Sequence, residues 1–226
     1  MAFGQKGIRS LREKRWAQLF VVNLRIFIGL AFLPASLKKL LGQPFTDPDK
    51  VGLFHDFVRA FHSIDGFYQV VGALQLIAAL LLMTQRYATL GAAFALPLLL
   101  AISALCWSSA GIPTVTVVTL MTLGVLGLLL WEMDRWRALF GAEGEAFEIS
   151  NPPLPELVDR KLWGRCGIAI VIVYGLVTLS QGGVYRPRGV ELGNPVFYLL
   201  PTIVLFPIVT WLIDRARYRR RQSAAG

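Results

Sequence analysis

Residues 17–41 read AQLFVVNLRIFIGLAFLPASLKKLL, and this stretch decides the fold class. As a helix that rises ~1.5 Å per residue it reaches roughly 37 Å, which exceeds the ~30 Å hydrocarbon core of a bilayer. The stretch therefore predicts a membrane-spanning helix with Arg25 inside it. Because a cation at that depth costs at least ~2.5 kcal/mol on insertion scales, we expect Arg25 to face the interior of a bundle and to find acceptors there.

The composition of the chain excludes an ordinary soluble domain. Of 226 residues, 55% are hydrophobic and only 16% are charged, which is typical of a polytopic membrane protein. The formal net charge of +9 would suggest a nucleic-acid partner in a soluble chain. Here the basic residues flank apolar spans, so we expect topology and anionic lipid to explain them, with no nucleic acid bound.

The apolar and polar segments predict an all-α membrane protein, an antiparallel bundle of six transmembrane helices. We expect a cytoplasmic basic tail at 1–16, a four-helix membrane core at 17–131, a cytoplasmic interfacial loop at 132–162, two additional spans at 163–213 and a second basic cytoplasmic tail at 214–226. The spans after the first are predicted at 67–84, 88–107, 113–131, 164–185 and 192–213. Since the links between spans one to four carry few residues, neighbouring helices should run antiparallel.

An amphipathic periplasmic helix is predicted at 48–63, between the first and second spans. Asp47 would cap its start and Pro48 would be its first helical residue. Its apolar side chains recur at spacings of three and four residues, so it should lie on the membrane or cap the bundle.

The distribution of basic residues predicts that both termini are cytoplasmic. Most of the 23 Lys and Arg residues fall in segments on the side of the N-terminus, whereas the outer segments carry Lys50, Arg59, Arg186 and Arg188. This asymmetry follows the positive-inside rule. We therefore expect a multi-pass protein of the bacterial inner membrane.

Arg25 is the main candidate for a functional side chain. All 14 acidic residues fall in tails, loops or span ends, so Arg25 is predicted to lack a carboxylate at its own depth. Depth along the helices makes Gln75 its expected neighbour, with Asn23, a carbonyl near Pro97 or Glu132 completing the shell. Its remaining donors would then go to backbone, water, lipid phosphate or a bound ligand. The same lack of core acids argues against proton-coupled transport and against a core metal site.

The outer end of the first span carries a second polar group. Lys39 shares a helix face with Arg25, and it should meet Asp65 at the start of the second span. We favour a structural Lys39–Asp65 ion pair with Lys38 reaching the interface, and we keep open a basic pocket for an anion or a quinone-like head group. His55 and His62 are seven residues apart, too far to hold one metal ion, and are expected to be interfacial residues bonded to Asp56 or Asp65.

The residues of the first three spans resemble the DoxX-like family of small bacterial integral membrane proteins. The resemblance rests on Arg25-x3-Gly29-x2-Phe32 with Lys39-Leu40, on VGALQLIAAL at 71–80 and on RYATLGA at 86–92, within residues 18–133. The chain differs from the family pattern at Gln75, where the family usually carries an acidic residue, and in its last two spans. The resemblance implies a four-helix core and a link to quinone-dependent sulfur-compound oxidation and to redox partner proteins.

Three functions remain open on sequence alone. The first is an accessory protein that binds a quinone, a lipid or a redox partner through its buried Arg and Lys face. The second is a membrane subunit of a quinone-linked oxidoreductase, and the third is a small-molecule transporter whose helices break at Pro97, Pro201 and Pro207. Cys106 and Cys166 are expected to lie near opposite membrane faces, which argues against a dithiol enzyme. The candidate ligand-binding residues are Arg25, Lys39, Gln75, Gln69 and Asn23, with a possible periplasmic site at His55, His62, Asp65 and Lys38.

Overall fold

The computed structural model describes residues 10–47, 49–109, 111–133, 157–181, 183–184 and 198–223, and these residues form helices and turns with no strand among them. The helices are α1 (Arg15–Leu40), α2 (Leu53–Ser63), α3 (Asp65–Met83), α4 (Ala88–Ser109), α5 (Ile112–Trp131), α6 (Arg160–Ser180) and α7 (Leu199–Ser223). Most of the predicted basic N-terminal tail and interfacial loop, and the first part of the sixth predicted span, lie outside the described residues.

Five of these helices are long and apolar enough to cross a bilayer, namely α1, α3, α4, α5 and α6. This confirms the prediction of a helical membrane protein with several spans. Large apolar side chains lie on the outside of the bundle, where Phe27 is 55% exposed, Leu100 52% and Leu120 62%. Such a surface suits contact with lipid rather than water. The apolar part of α7, residues 199–213, reaches roughly 22 Å and is shorter than a bilayer core.

The amphipathic helix begins later than predicted. It starts at Leu53, because Gly52 has φ +124°, and a residue with this backbone conformation cannot be part of an α-helix. Asp47 instead organises a turn in which its carbonyl accepts the N–H of Lys50 at 3.2 Å. The helix docks on the start of α3 through Phe61, whose ring centroid lies 5.1 Å from that of Tyr68.

Close approach at glycines holds α1 against α3. A Cβ at Gly29 of α1 would collide with the side chain of Met83, and a Cβ at Gly72 of α3 would lie 2.6 Å from the Cβ of Lys39. Each position therefore tolerates only a hydrogen in place of a side chain. The two glycines bring the polar residues of α1 and α3 into one packed layer.

Helix α6 packs against the end of α3 in the same way. A Cβ at Gly164 would lie 2.7 Å from the carbonyl oxygen of Thr84, and a Cβ at Gly167 would collide with the carbonyl oxygen of Met83. Because these neighbours are backbone atoms, they cannot rotate aside. The contact places the start of α6 beside the turn between α3 and α4.

Candidate functional site

Arg25 lies in a buried polar cluster near the start of α1. Its Nη2 donates to Glu132 Oε1 at 2.6 Å, and its Nη1 donates to Gln85 Oε1 at 3.1 Å. The Arg25 and Glu132 side chains are 3% and 8% exposed, so the ion pair is almost fully removed from solvent. The cluster joins α1, the α3–α4 turn and the end of α5.

Gln85 occupies an unusual backbone conformation to reach this cluster. Its φ is +62°, in the left-handed region that residues other than Gly rarely adopt. Its Nε2 donates to the carbonyl of Val22 at 3.3 Å while its Oε1 accepts from Arg25. Both ends of the buried amide are thus satisfied by α1, which offsets the cost of the backbone conformation.

The sequence predicts Gln75 as the main neighbour of Arg25 and Glu132 as one of the groups that could complete the shell, and in the structure Glu132 is the ion-pair partner. Glu132 follows the last residue of α5, and the long arginine side chain reaches it from α1. Of the partners proposed from depth, Glu132 is therefore confirmed. Gln75 makes no hydrogen bond to Arg25, and its buried Oε1 has no partner among the described residues. Asn23 donates to the carbonyl of Leu19 at 2.8 Å.

The arrangement makes the Arg25–Glu132 pair a structural connection rather than an open binding site. The two members of a buried ion pair compensate each other's charge, and removal of either one leaves an uncompensated charge. The guanidinium does not therefore require an external anion. The expectation against proton-coupled transport rests on the lack of acidic residues in the membrane core. Because Glu132 is a buried carboxylate near a span end, this reason is weaker than the sequence indicates.

A second ion-pair network joins α1, α6 and α7 at the same end of the bundle. Asp214 of α7 is 2% exposed and accepts from Arg15 Nη2 at 2.8 Å and from the backbone N–H of Asp159 at 2.9 Å. Asp159 caps α6 by accepting the N–H of Leu162 at 3.1 Å, and it also accepts from Arg217 at 2.7 Å. Burial alone would raise the pKa of Asp159, but these two donors hold its pKa below the ordinary value.

The outer polar group differs from the prediction. Lys39 is 7% exposed, and its Nζ donates to the carbonyl of Ala35 at 3.3 Å. The same Nζ lies 4.7 Å from the ring centroid of Phe45 and 5.7 Å from that of Tyr68. The predicted Lys39–Asp65 ion pair does not form, because two aromatic faces and a carbonyl surround the ammonium group instead.

The other residues of the predicted periplasmic site do not converge on one point. Asp65 accepts from Gln69 at 3.3 Å on an exposed face. His62 Nε2 lies 3.0 Å from the carbonyl of Gly42, so the predicted His62 bond to a carboxylate is wrong. His55 Nδ1 is buried without a partner in the described part of the chain. Lys38 is 8% exposed and its Nζ lies 5.8 Å from the Phe45 ring centroid.

An apolar groove lies between α1, α6 and α7. It has a volume of about 380 Å³, within the range of pockets that hold small ligands. No charged side chain lines it. Residues that line the groove include Asn23, Phe27, Trp163, Ile170, Pro207 and Trp211.

One polar atom beside this groove has no partner. Trp163 is fully buried, and its indole Nε1–H has no acceptor among the described residues. A buried donor that stays unsatisfied costs roughly 1–3 kcal/mol, so such groups are usually explained by a ligand or a water molecule. Among the residues predicted to bind a ligand, Asn23 lies in this groove and Arg25, Gln75 and Lys39 do not line it.

The sequence interpretation missed Gln85, Trp163, Asp159 and Asp214. Gln85 lies in a short turn, where an amide is ordinarily exposed, and nothing in its local pattern indicates φ > 0. Asp159 carries a recognisable signal, since an Asp immediately before an apolar helix is a typical N-cap. Among the described residues no group of three or more His, Cys, Asp or Glu side chains is placed to hold a metal ion, and Cys106 and Cys166 are free and buried.

Comparison of the chain with known protein families, with curated proteins and with solved structures found no match.

Proposed function

We propose that this chain is an accessory membrane protein that binds an isoprenoid quinone in the groove between α1, α6 and α7. We also propose that the chain is a DoxX-like protein and that it acts with a redox partner protein. The observation that carries the proposal is that Trp163, whose buried indole N–H has no acceptor among the described residues, is one of the residues that line this apolar groove. A quinone carbonyl is an acceptor of the kind this donor lacks.

The chemistry of the groove favours a quinone over a phospholipid as its occupant. A phospholipid head group carries a charged phosphate, which needs Lys or Arg, and the groove is lined by no charged residue. A quinone ring is neutral and flat, so it can pack on aromatic side chains such as Phe27 and Trp211. Its isoprenoid tail would lie along the apolar outer face of the bundle.

The Arg25–Glu132 pair and the Asp159–Asp214 network have a supporting role in this proposal. Both fix α1 relative to neighbouring helices, and Arg15–Asp214 ties α1 to α7 on the two sides of the groove. The groove is therefore held open by contacts that do not touch its occupant. A binding site needs this kind of rigid support.

The protein would act with a partner rather than as a complete enzyme. Reduction of a quinone requires an electron donor, which the partner protein would supply in this proposal. We therefore infer an accessory protein or a subunit of a quinone-linked oxidoreductase. Its topology in this proposal is a bacterial inner-membrane bundle of six antiparallel spans, with α7 completing the sixth and both termini cytoplasmic.

The test is the quinone content of the purified protein. The full chain is extracted in mild detergent, and bound quinone is measured by mass spectrometry per mole of protein. We expect the Trp163→Phe variant to retain about fivefold less quinone, since it removes one hydrogen bond worth about 1 kcal/mol while keeping the aromatic volume. Val204→Trp, which fills the groove, should lose the quinone altogether.

Trp107→Phe is the matched control, because Trp107 lies on α4, is 67% exposed and does not line the groove. It should retain as much quinone as the native chain. Absence of quinone from the native protein, or an equal loss in both tryptophan variants, would refute the proposed function.

A further inference from the structure

A second groove, unlike the first, is strongly basic. It has a volume of about 760 Å³ and is formed where the α3–α4 turn, the start of α6 and the end of α7 meet. Its basic lining residues are Arg86, Arg160, Lys161, Arg165 and Arg221.

The described residues of the groove supply one carboxylate against these five cations. None of the five forms an ion pair with a carboxylate in the described part of the chain. The acidic residue of the groove lining is Asp159, and its oxygens already accept from Leu162 and Arg217. The described lining of the groove therefore has a net positive charge that attracts anions.

The walls of the groove indicate what kind of anion fits. On the side toward the bilayer they continue into Ile168, which is 46% exposed and lies eight residues into α6, roughly 12 Å along the helix axis. A molecule that fits must therefore be charged at one end and apolar at the other.

We propose that this groove binds the head group of an anionic phospholipid, with the phosphate among the five basic side chains and an acyl chain against Ile168. Arginine and lysine from three separate elements meet in one place, so the phosphate is bound from several directions. A bound lipid would connect α7 and α6 to the α3–α4 turn. Since that turn also carries Gln85, the lipid would stabilise the region that holds Arg25.

The experiment measures lipid bound to the full chain by native mass spectrometry, after detergent delipidation and titration with phosphatidylglycerol or phosphatidylcholine. We expect the native protein to retain phosphatidylglycerol in preference to phosphatidylcholine. Arg86→Gln combined with Arg165→Gln should weaken that binding roughly thirtyfold, from the typical contribution of two basic residues at an anionic lipid surface.

Arg219→Gln combined with Arg220→Gln is the matched control. Both residues are exposed on α7 and lie outside the groove lining, and the variant loses the same charge. It should bind phosphatidylglycerol as the native chain does. If the Arg86 and Arg165 variant does not fold, Lys161→Gln, at an exposed position, gives the same test with a smaller effect, and Arg86→Lys with Arg165→Lys should preserve most of the binding.

Three results would overturn the proposal. Equal binding of phosphatidylglycerol and phosphatidylcholine, or equal weakening in the control variant, would show that the groove does not select an anionic head group. Displacement of the lipid by inorganic phosphate at millimolar concentration would indicate a soluble phosphate ligand instead of a lipid.

Discussion

At the residue scale, the contact that organises this end of the bundle is the buried bond between Arg25 and Glu132. Gln85 joins the same cluster from a turn and holds a backbone conformation that is costly for a residue other than Gly. A pair of this kind contributes little net stability compared with apolar packing, yet loss of one member is expensive. Its main effect is to fix how α1, α5 and the α3–α4 turn meet.

We predict that Glu132→Gln or Arg25→Met alone lowers the free energy of unfolding by about 3–5 kcal/mol, because each leaves one buried charge without its partner. The double variant Arg25→Met/Glu132→Met should recover most of this loss, since no charge then remains. Unfolding in detergent, followed by circular dichroism, measures the effect.

The exposed pair between Arg59 and Asp56 serves as the control, with side chains 45% and 57% exposed. Arg59→Met should change the free energy of unfolding by less than about 1 kcal/mol. If Glu132→Gln is as harmless as Arg59→Met, the Arg25–Glu132 pair does not organise the bundle.

Sequence reasoning identified Arg25 as buried but assigned the wrong principal neighbour. Counting rise per residue locates the backbone of Arg25 and of Gln75 at similar depths, and that led to Gln75. The method ignores the length of an arginine side chain, which reaches a carboxylate at a helix end. It also cannot find Gln85, whose position depends on a turn that only tertiary packing stabilises.

At the scale of helices, glycine contacts decide which helices lie closest. Gly29, Gly72, Gly164 and Gly167 each face an atom of a neighbouring helix or turn that a methyl group would strike. The long apolar runs of the sequence predict the helices well, because a run of about twenty apolar residues forms a membrane-spanning helix in most proteins. Which glycine meets which neighbour is a property of the assembled bundle, so the sequence does not show it.

Gly167→Ala is predicted to destabilise the protein, since its new methyl group would collide with the backbone carbonyl of Met83. We expect a loss of about 1–3 kcal/mol, the usual range for overpacking. Gly175→Ala in the same helix has no atom within 4 Å of the added carbon and should be neutral or slightly stabilising. Thermal unfolding of both variants in one detergent compares them directly, and equal melting temperatures would contradict the proposed α3–α6 contact.

At the scale of the whole molecule, the described chain combines a membrane bundle with two grooves of opposite character. The groove between α1, α6 and α7 is apolar with one unsatisfied donor, and the groove beside Arg86 and Arg165 is basic. Both use α6 and α7, the part of the chain that lies beyond the DoxX-like resemblance. The two binding sites that we propose therefore both involve the C-terminal helices.

The most direct test of the proposed function is cross-linking with a photoreactive quinone in membranes that contain the full chain. We predict that label, displaced by excess unmodified quinone, appears on peptides covering residues 23–30, 163–170 and 203–211. Displaceable label confined to residues 38–69, around Lys39 and His62, would contradict it, as would the absence of any displaceable label.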